Sequence, residues 1–180
     1  MFKKLNQKTI YQDTWLKLYQ DEIELPDGKQ GTYAWCDRMD GVGIAVVTPD
    51  RKILQHEYRY VVKKMCWELP GGGMGDSATP EIAAVRELEE ETGITVSPDQ
   101  LVRLGVFAPL NSFSTEKVTV FMVEVEETKA TSKGSEGGEV IGEQRFVSFD
   151  EALRMIDEGD IDDAGIGHII QMVVRKMSVK

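Results

Sequence analysis

Residues 71–94, GGGMGDSATPEIAAVRELEEETGI, join a glycine-rich segment to a segment with the pattern of a helix. Thr79 is a candidate N-cap, Pro80 suits the first helical position, and Gly93 supplies a stop signal. Apolar residues four positions apart give this helix a face that can pack against a core. The stretch therefore predicts a loop followed by one amphipathic helix that ends at Gly93.

The same helix concentrates acidic residues near its end. Glu87, Glu90 and Glu91 are three and four residues apart and share one helical face, whereas Glu89 points elsewhere. Each like-charge pair at this spacing destabilises a helix by roughly 0.2–0.5 kcal/mol. A divalent cation would turn the repulsion into attraction, and Mg²⁺ and Mn²⁺ prefer such carboxylate oxygens. The alternative is a solvated acidic face, but the glycine-rich loop and the adjacent Arg86 favour a metal site.

Alternating apolar and polar residues predict strands on both sides of the helix. Residues 15–36 form a predicted hairpin that turns at Pro26-Asp27-Gly28. Residues 128–139 are polar and rich in Gly and Ser, which is typical of a mobile surface loop. Further strand-like segments lie at 42–47, 53–60, 101–110 and 117–127, and helical segments start near residues 150 and 162. This order of elements predicts an α+β fold.

The composition limits the class of protein. The chain has 180 residues, enough for one hydrophobic core, and a formal net charge of −10, which argues against nucleic acid as a partner because phosphate backbones recruit basic surfaces. Cys36 and Cys66 are far apart without a CxxC spacing, so neither a zinc site nor a disulfide framework is expected. Neither a secretory signal nor an apolar run of membrane-spanning length is visible, so we expect a cytoplasmic protein without a membrane partner.

Residues 71–94 resemble the signature of the Nudix hydrolases. That signature is a glycine, five residues, a glutamate, seven residues and then R-E-U-x-E-E-x-G-U, where U is apolar. The position of its first glutamate holds Ala78 here, and Asp76 or Glu81 are the candidates to replace that carboxylate. Counted from Gly72, the matching residues are Arg86, Glu87, Leu88, Glu90, Glu91, Gly93 and Ile94.

The resemblance extends over residues 15–175 to the branch of the family that hydrolyses ADP-ribose and related nucleoside diphosphate sugars. It is carried by ELPDGK in the N-terminal hairpin, EYRY (57–60), WELPGG (67–72), FSTEKVTVF (113–121) and SFDEALRMIDEGDIDDA (148–164). It weakens at Leu110-Asn111-Ser112, where that branch tends to carry Ser-Pro-Gly. ADP-ribose is therefore one candidate among several nucleoside diphosphate sugars.

The resemblance implies a fold and a division of the chain. The expected architecture is a Nudix α/β/α sandwich with a mixed sheet, preceded by antiparallel N-terminal strands. Residues 1–40 would form an N-terminal β-hairpin region used for dimerisation, and residues 41–180 would form the Nudix hydrolase domain. The expected assembly is a homodimer.

The resemblance also implies a metal site. The ligands would be the side chains of Glu87, Glu90 and Glu91 and the backbone carbonyl of Gly71, a position where glycine permits close approach. The expected ion is Mg²⁺, with Mn²⁺ as an alternative. Arg86 would pair with acids of the segment and hold it in shape.

In this branch of the family, the general base comes from a loop downstream of the helix, which corresponds to residues 135–146 here. Glu139 is the first candidate and Glu136 the second, because both lie among glycines that would let the loop close on substrate. Glu143 is expected to begin the next strand.

Four residues are candidates for substrate binding. Arg59 occupies a position that resembles a substrate-contacting strand residue and could bind a phosphate through two parallel hydrogen bonds. Tyr33 or Trp35 could stack on a base, although hairpin aromatics more often pack in a core. Glu116 could make a further contact with metal or substrate.

The expected function is metal-dependent hydrolysis of the pyrophosphate bond in a nucleoside diphosphate linked to a sugar or similar group. The products would be a nucleoside monophosphate and a sugar phosphate. A second hypothesis is a Nudix-fold sensor that binds such a nucleotide without cleaving it, but such a module would be expected to lose more acids than the one replaced by Ala78. A third, isoprenoid diphosphate isomerisation, needs a catalytic Cys and Glu, which Cys66 only weakly suggests. The hydrolase is favoured.

Overall fold

The computed structural model describes residues 1–48, 51–126 and 141–178, with only the backbone described at 51–58 and 141. Its three α-helices are α1 (Pro80–Thr92), α2 (Phe149–Glu158) and α3 (Ala164–Ser178), and a short 3-10 helix covers Pro98–Gln100. Its strands are β1 (Lys3–Gln12), β2 (Leu16–Glu24), β3 (Gln30–Arg38), β4 (Gly41–Thr48), β5 (Arg51–Arg59), β6 (Lys64–Glu68), β7 (Gly71–Gly73), β8 (Val102–Phe107), β9 (Val118–Glu124) and β10 (Ile141–Ser148).

The chain divides into two compact units. Unit 1 consists of Met1–Asp40 and Phe107–Val118, and unit 2 consists of Gly41–Val106 and Thr119–Lys180. Asp40 is thus the last residue of the N-terminal part of unit 1. The segment 107–118 belongs to unit 1 although it follows much of unit 2 in the chain.

Unit 1 contains an antiparallel sheet in the order β1-β2-β3. The predicted hairpin is confirmed as β2 and β3, which turn at Pro26-Asp27-Gly28, where Gly28 has a φ of +83° that glycine adopts without steric cost. The backbone N–H of Cys36 donates to the carbonyl of Phe113 at 2.7 Å, which joins the second segment to this unit. Strand β1 was not predicted, because every one of its residues is exposed and its sequence, KKLNQKTIYQ, does not alternate between apolar and polar residues.

Unit 2 contains a larger sheet in the order β10-β5-β4-β9-β8, with β6 beside β5 and β7 beside β4. Strand β4 lies at the centre of this sheet and all its residues are buried. Both faces of a strand with this burial must be covered, which explains why its sequence is a continuous apolar run without alternation. The position of β7 next to β4 places the start of the glycine-rich segment at the core.

Helix α1 covers one face of this sheet. It begins where predicted, with the Thr79 hydroxyl accepting a hydrogen bond from the backbone N–H of Ile82 at 3.3 Å, and it ends at Gly93, which has a φ of 71°. Leu88 is fully buried in the cluster between α1, β4 and β9. The buried members of this cluster are Val42, Ile44, Val46, Ala83, Ala84, Leu88, Val96, Phe121 and Val123.

The opposite face of β4 is covered by α3. Ala45 and Val47 alternate with the residues that face α1 and are fully buried, and α3 contacts β4. Ile170 and Val173 of α3 are also fully buried. Helices on both sides of the sheet make unit 2 an α/β/α sandwich, as expected.

The remaining predictions from the sequence concern the C-terminal helices, the two cysteines, the loop at 128–139 and membrane-spanning segments. The helical segments near 150 and 162 are confirmed as α2 and α3. Cys36 and Cys66 are buried free thiols. The predicted loop at 128–139 lies outside the described residues. Within the part of the chain that is described, no helix is both long and apolar enough to cross a membrane.

We predict that Leu88→Ala destabilises the protein by about 2–5 kcal/mol, because the substitution leaves a cavity under α1. Ile82→Ala is the matched control, since Ile82 lies on the same helix with 46% of its surface exposed. Denaturant unfolding of the two variants measures the difference in free energy. Equal stabilities would contradict this description of the core.

Candidate active site

The glycine-rich segment is fixed to the core through β7. Gly71, Gly72 and Gly73 pair with the first residues of β4 in antiparallel register. A Cβ atom at Gly71 would lie 2.4 Å from the backbone carbonyl oxygen of Val42, a distance that real Cβ atoms do not show. Glycine at this position therefore allows the two backbones to approach each other, and it positions the loop that leads into α1.

Arg86 organises the acidic face of α1. Its Nη2 donates to Glu87 Oε1 at 2.7 Å and to the carbonyl of Gly73 at 2.9 Å, and its Nη1 donates to Glu90 Oε2 at 2.8 Å. Partial burial works to lower the pKa of Arg86, but the carboxylates of Glu87 and Glu90 outweigh it and raise that pKa. One cation thus offsets the repulsion between two acids and ties both to the end of β7.

Glu91 is held from the other side. Its Oε2 accepts a hydrogen bond from the backbone N–H of Gly71 at 2.9 Å, and its own carbonyl accepts one from the Gln144 side chain at 2.8 Å. A Cβ atom at Gly72 would lie 2.6 Å from both carboxylate oxygens of Glu87. Two of the three acids therefore lie directly against the backbone of β7, and the third is joined to it through Arg86.

The chemistry of this donor set suits a hard divalent cation. Carboxylate and backbone carbonyl oxygens are the ligands that Mg²⁺ and Mn²⁺ prefer. Across residues 1–48, 51–126 and 141–178, no three His, Cys, Asp or Glu side chains converge in an arrangement that could hold a metal ion. The acids are instead engaged with Arg86 and Gly71. The side chain of Glu90 is 56% exposed and can turn toward a ligand with little disturbance of the core.

Ala78 occupies the position of the first signature glutamate and has no carboxylate to offer a metal ion. Ala78 is exposed in the turn before α1, Asp76 is exposed nearby, and Glu81 is half-buried in the first turn of the helix. The replacement of the missing carboxylate by Asp76 or Glu81 stays a prediction.

Arg59 lies at the end of β5 and is paired with an acid that the sequence analysis did not select. Its Nε lies 3.1 Å from Glu68 Oε1, and the two side chains are 49% and 10% exposed. The pairing of β5 with β6 brings these residues to one hairpin. The hairpin register pairs Arg59 with Lys64 and not with Glu68, so no local signal in the sequence identifies Glu68 as the partner.

The aromatic candidates Tyr33 and Trp35 both belong to β3 in unit 1. The hydroxyl of Tyr33 donates to the carbonyl of Ser112 at 2.6 Å. The indole N–H of Trp35 donates to Asp21 Oδ2 at 2.9 Å, and its ring centroid lies 4.7 Å from that of Tyr19. Tyr33 is 43% exposed whereas Trp35 is half-buried, so Tyr33 offers more surface to a ligand.

Glu116, also in unit 1, forms an ion pair with a residue that sequence reasoning missed. Glu116 Oε2 lies 3.3 Å from Nη1 of Arg38, and the Glu116 side chain is 18% exposed. The backbone N–H of Arg38 donates to the hydroxyl of Thr115 at 3.2 Å. The pair joins the end of β3 to segment 107–118, a contact distant in sequence that no local pattern indicates.

Glu139 and Glu136 lie outside the described residues. Glu143 is exposed and is the third residue of β10, so the strand begins at Ile141, two residues earlier than expected.

Two family models match this chain. Residues 37–166 match the family model of the NUDIX domain, and residues 2–35 match that of the nucleoside diphosphate sugar hydrolase N-terminal domain. The chain is 28% identical to the ADP-ribose pyrophosphatase of Bacillus subtilis (strain 168), over 99% of this chain and 98% of that protein. It is 29% identical to the methanol dehydrogenase activator of Bacillus methanolicus, over 90% of this chain and 86% of that protein.

A solved structure shares the fold. The crystal structure of an ADP compounds hydrolase superposes with a TM-score of 0.81 at 18% identity, covering 99% of this chain and 95% of that one. Identity at this level shows the fold alone. Because the NUDIX model matches most of the chain and includes β7 and α1, the protein belongs to the Nudix family.

Proposed function

We propose that the protein hydrolyses the pyrophosphate bond of a nucleoside diphosphate linked to a sugar or similar group, with ADP-ribose as the first candidate substrate. The observation that carries the proposal is the placement of three carboxylates on the face of α1 beside β7, where Glu91 accepts the N–H of Gly71 and Arg86 links Glu87 and Glu90 to the carbonyl of Gly73. Carboxylates in this position suit a cation that binds diphosphate. The end-to-end similarity to an ADP-ribose pyrophosphatase supports this choice of substrate. The products would be a nucleoside monophosphate and a sugar phosphate.

Nudix hydrolases generally use divalent metal ions. In this chain the side chains of Glu87, Glu90 and Glu91 and the carbonyl of Gly71 would hold the ion, and Mg²⁺ is the ion that we propose. Such an ion supplies positive charge against the diphosphate and lowers the pKa of a bound water. Arg86 holds Glu87 and Glu90 next to the loop, and its positive charge reduces the repulsion between these two carboxylates before a metal ion binds.

We propose that Arg59 binds a phosphate of the substrate. Its guanidinium is half-exposed and lies in unit 2 together with β7 and α1. A planar guanidinium can bind a phosphate through two parallel hydrogen bonds, which fixes orientation as well as charge. The substrate-binding roles of Tyr33, Trp35 and Glu116 stay predictions from the resemblance, as does a cytoplasmic location.

The first test is hydrolysis of ADP-ribose, GDP-mannose and UDP-glucose in the presence of Mg²⁺ or Mn²⁺, with release of monophosphate as the readout. We expect activity that chelation abolishes and that Glu90→Gln and Glu91→Gln each reduce by at least about 100-fold, because each removes a ligand charge. Glu89→Gln is the matched control on the same helix and should retain activity.

Activity that persists undiminished in both Glu90→Gln and Glu91→Gln would contradict the metal site. Tight binding of the nucleotides without release of monophosphate would instead support the alternative, a Nudix-fold sensor of nucleotide sugars.

We propose that Glu139 is the general base, with Glu136 as the second candidate. Replacing the base by Gln should lower kcat by about 10²–10⁴-fold with little change in KM, because the proton acceptor is lost while the substrate contacts remain. The other glutamate, replaced in the same way, is the internal control. Full kcat in the Glu136→Gln/Glu139→Gln double variant would place the base elsewhere.

We also propose that residues 1–40 form a dimerisation region, so that the protein is a homodimer. Several large apolar side chains of the N-terminal strand region are exposed, among them Phe2, Leu5, Ile10 and Tyr11. Exposed apolar side chains mark interaction sites when they form a contiguous patch, and we propose that these side chains form one. Light scattering should give a particle of about twice the chain mass of 20.2 kDa. A single species at the chain mass over a range of concentrations would remove the proposal.

A further inference from the structure

We propose that Glu68 is a positioning residue, which holds the guanidinium of Arg59 by its Nε so that the opposite edge of the group is presented to a substrate phosphate. The inference rests on the proposed function of Arg59 as a phosphate contact. It adds a second residue to that contact and explains why the side chain of Glu68 is an acid in a largely buried place.

The register of the β5–β6 hairpin supports the inference. Arg59 lies opposite Lys64, whereas Glu68 lies opposite Gln55, four residues further along β5. Four residues of a strand span roughly 13 Å, so the two side chains meet only if Arg59 extends along the face of the hairpin toward Glu68. The contact between Nε and Oε1 at 3.1 Å shows that it does.

Cys66 lies in β6 between Lys64 and Glu68, and the pKa of its thiol is affected by the charges of both Glu68 and Arg59. It is opposite Glu57 in the hairpin, halfway between Lys64 and Glu68. Burial raises the pKa of the Cys66 thiol, the carboxylate of Glu68 raises it further, and the cations of Lys64 and Arg59 act in the opposite direction. Alternation along β6 places Lys64, Cys66 and Glu68 on one face of the hairpin, the face on which Arg59 meets Glu68.

The Arg59 side chain extends along the hairpin toward the candidate metal site. Glu68 is the last residue of β6, three residues ahead of Gly71 in the chain, and the residues between them carry the backbone into β7. Glu68 therefore draws the guanidinium away from the tip of the hairpin and toward the strand end that leads into the candidate metal site. Without that anchor, a long arginine side chain at the end of a strand has many rotamers to lose on binding.

Burial distinguishes this pair from an incidental surface contact. The Glu68 side chain is 10% exposed, whereas in the ion pair of Arg154 with Glu158 on α2 the two side chains are 56% and 52% exposed. A carboxylate taken out of water is strongly disfavoured unless a cation or donor meets it. Glu68 thus depends on Arg59, and that dependence fixes one edge of the guanidinium. Recognition of a phosphate would use the edge formed by Nη1 and Nη2.

The test is a double-mutant cycle on kcat/KM for ADP-ribose with Glu68→Gln, Arg59→Ala and the combined variant. We expect Glu68→Gln to raise KM and lower kcat/KM by about tenfold, the loss of a hydrogen bond that involves charged groups. In the Arg59→Ala background the same substitution should have no further effect, because there is no guanidinium left to position. Glu158→Gln, which breaks the exposed ion pair on α2, is the matched control and should leave KM unchanged.

The outcomes separate this inference from the proposed function. An equal loss from Glu68→Gln in both backgrounds, or no loss in either, overturns the positioning role while hydrolysis itself stands. No effect of Arg59→Ala on an active enzyme overturns it too, since the phosphate contact is then absent. If the protein hydrolysed none of the tested substrates, the proposed function itself would be contradicted.

Thermal unfolding of each variant monitors the fold. If Glu68→Gln is too unstable to assay, Glu68→Asp keeps the charge and shortens the side chain by one methylene. The positioning role then predicts a raised KM that depends on Arg59. An unchanged KM for Glu68→Asp overturns it.

Discussion

Three carboxylates on one face of α1 repel one another, and the rest of the site is arranged around that repulsion. Arg86 lies between Glu87 and Glu90 and also binds the carbonyl of Gly73, so one cation offsets two anions and fixes them to the loop. Glu91 accepts the N–H of Gly71 instead. The acids are thus held beside the loop at a tolerable electrostatic cost, and we propose that they exchange these partners for a doubly charged cation.

This arrangement depends on close packing underneath it. A Cβ atom at Gly71 would lie 2.4 Å from the backbone carbonyl oxygen of Val42 and would push β7 away from β4, whereas a Cβ atom at Gly72 would displace the carboxylate of Glu87. Leu88 points into the core from the same helix and holds α1 on β4. The core therefore sets the distance between the loop and the acids, and through it the chemistry that the acids can perform.

Local patterns were sufficient for much of this architecture. The caps Thr79 and Gly93 define α1 because each satisfies backbone groups at a helix end, and the continuous apolar run of β4 is typical of a strand buried on both faces.

Other features could not be predicted from local patterns. Strand β1 has no buried face and is held by backbone pairing with β2. The joining of segment 107–118 to unit 1 depends on contacts with β3 that are distant in sequence, which no local period encodes. The same is true of the pairs Arg59–Glu68 and Arg38–Glu116, since a strand register or a loop path decides which charges meet. The signature spacing located Glu87, Glu90 and Glu91, but only the structure shows how Arg86 and the glycine backbone hold them.

The central claim is that the face of α1 next to β7 is the place where this protein binds a divalent cation. Paramagnetic broadening by Mn²⁺ in NMR spectra of the isotopically labelled protein tests it without reference to any substrate. The account predicts that substoichiometric Mn²⁺ broadens the backbone amide signals of residues 71–73 and 86–93 first, and that Mg²⁺ in excess restores them. Broadening centred on another part of the protein, with these signals unaffected, would contradict it.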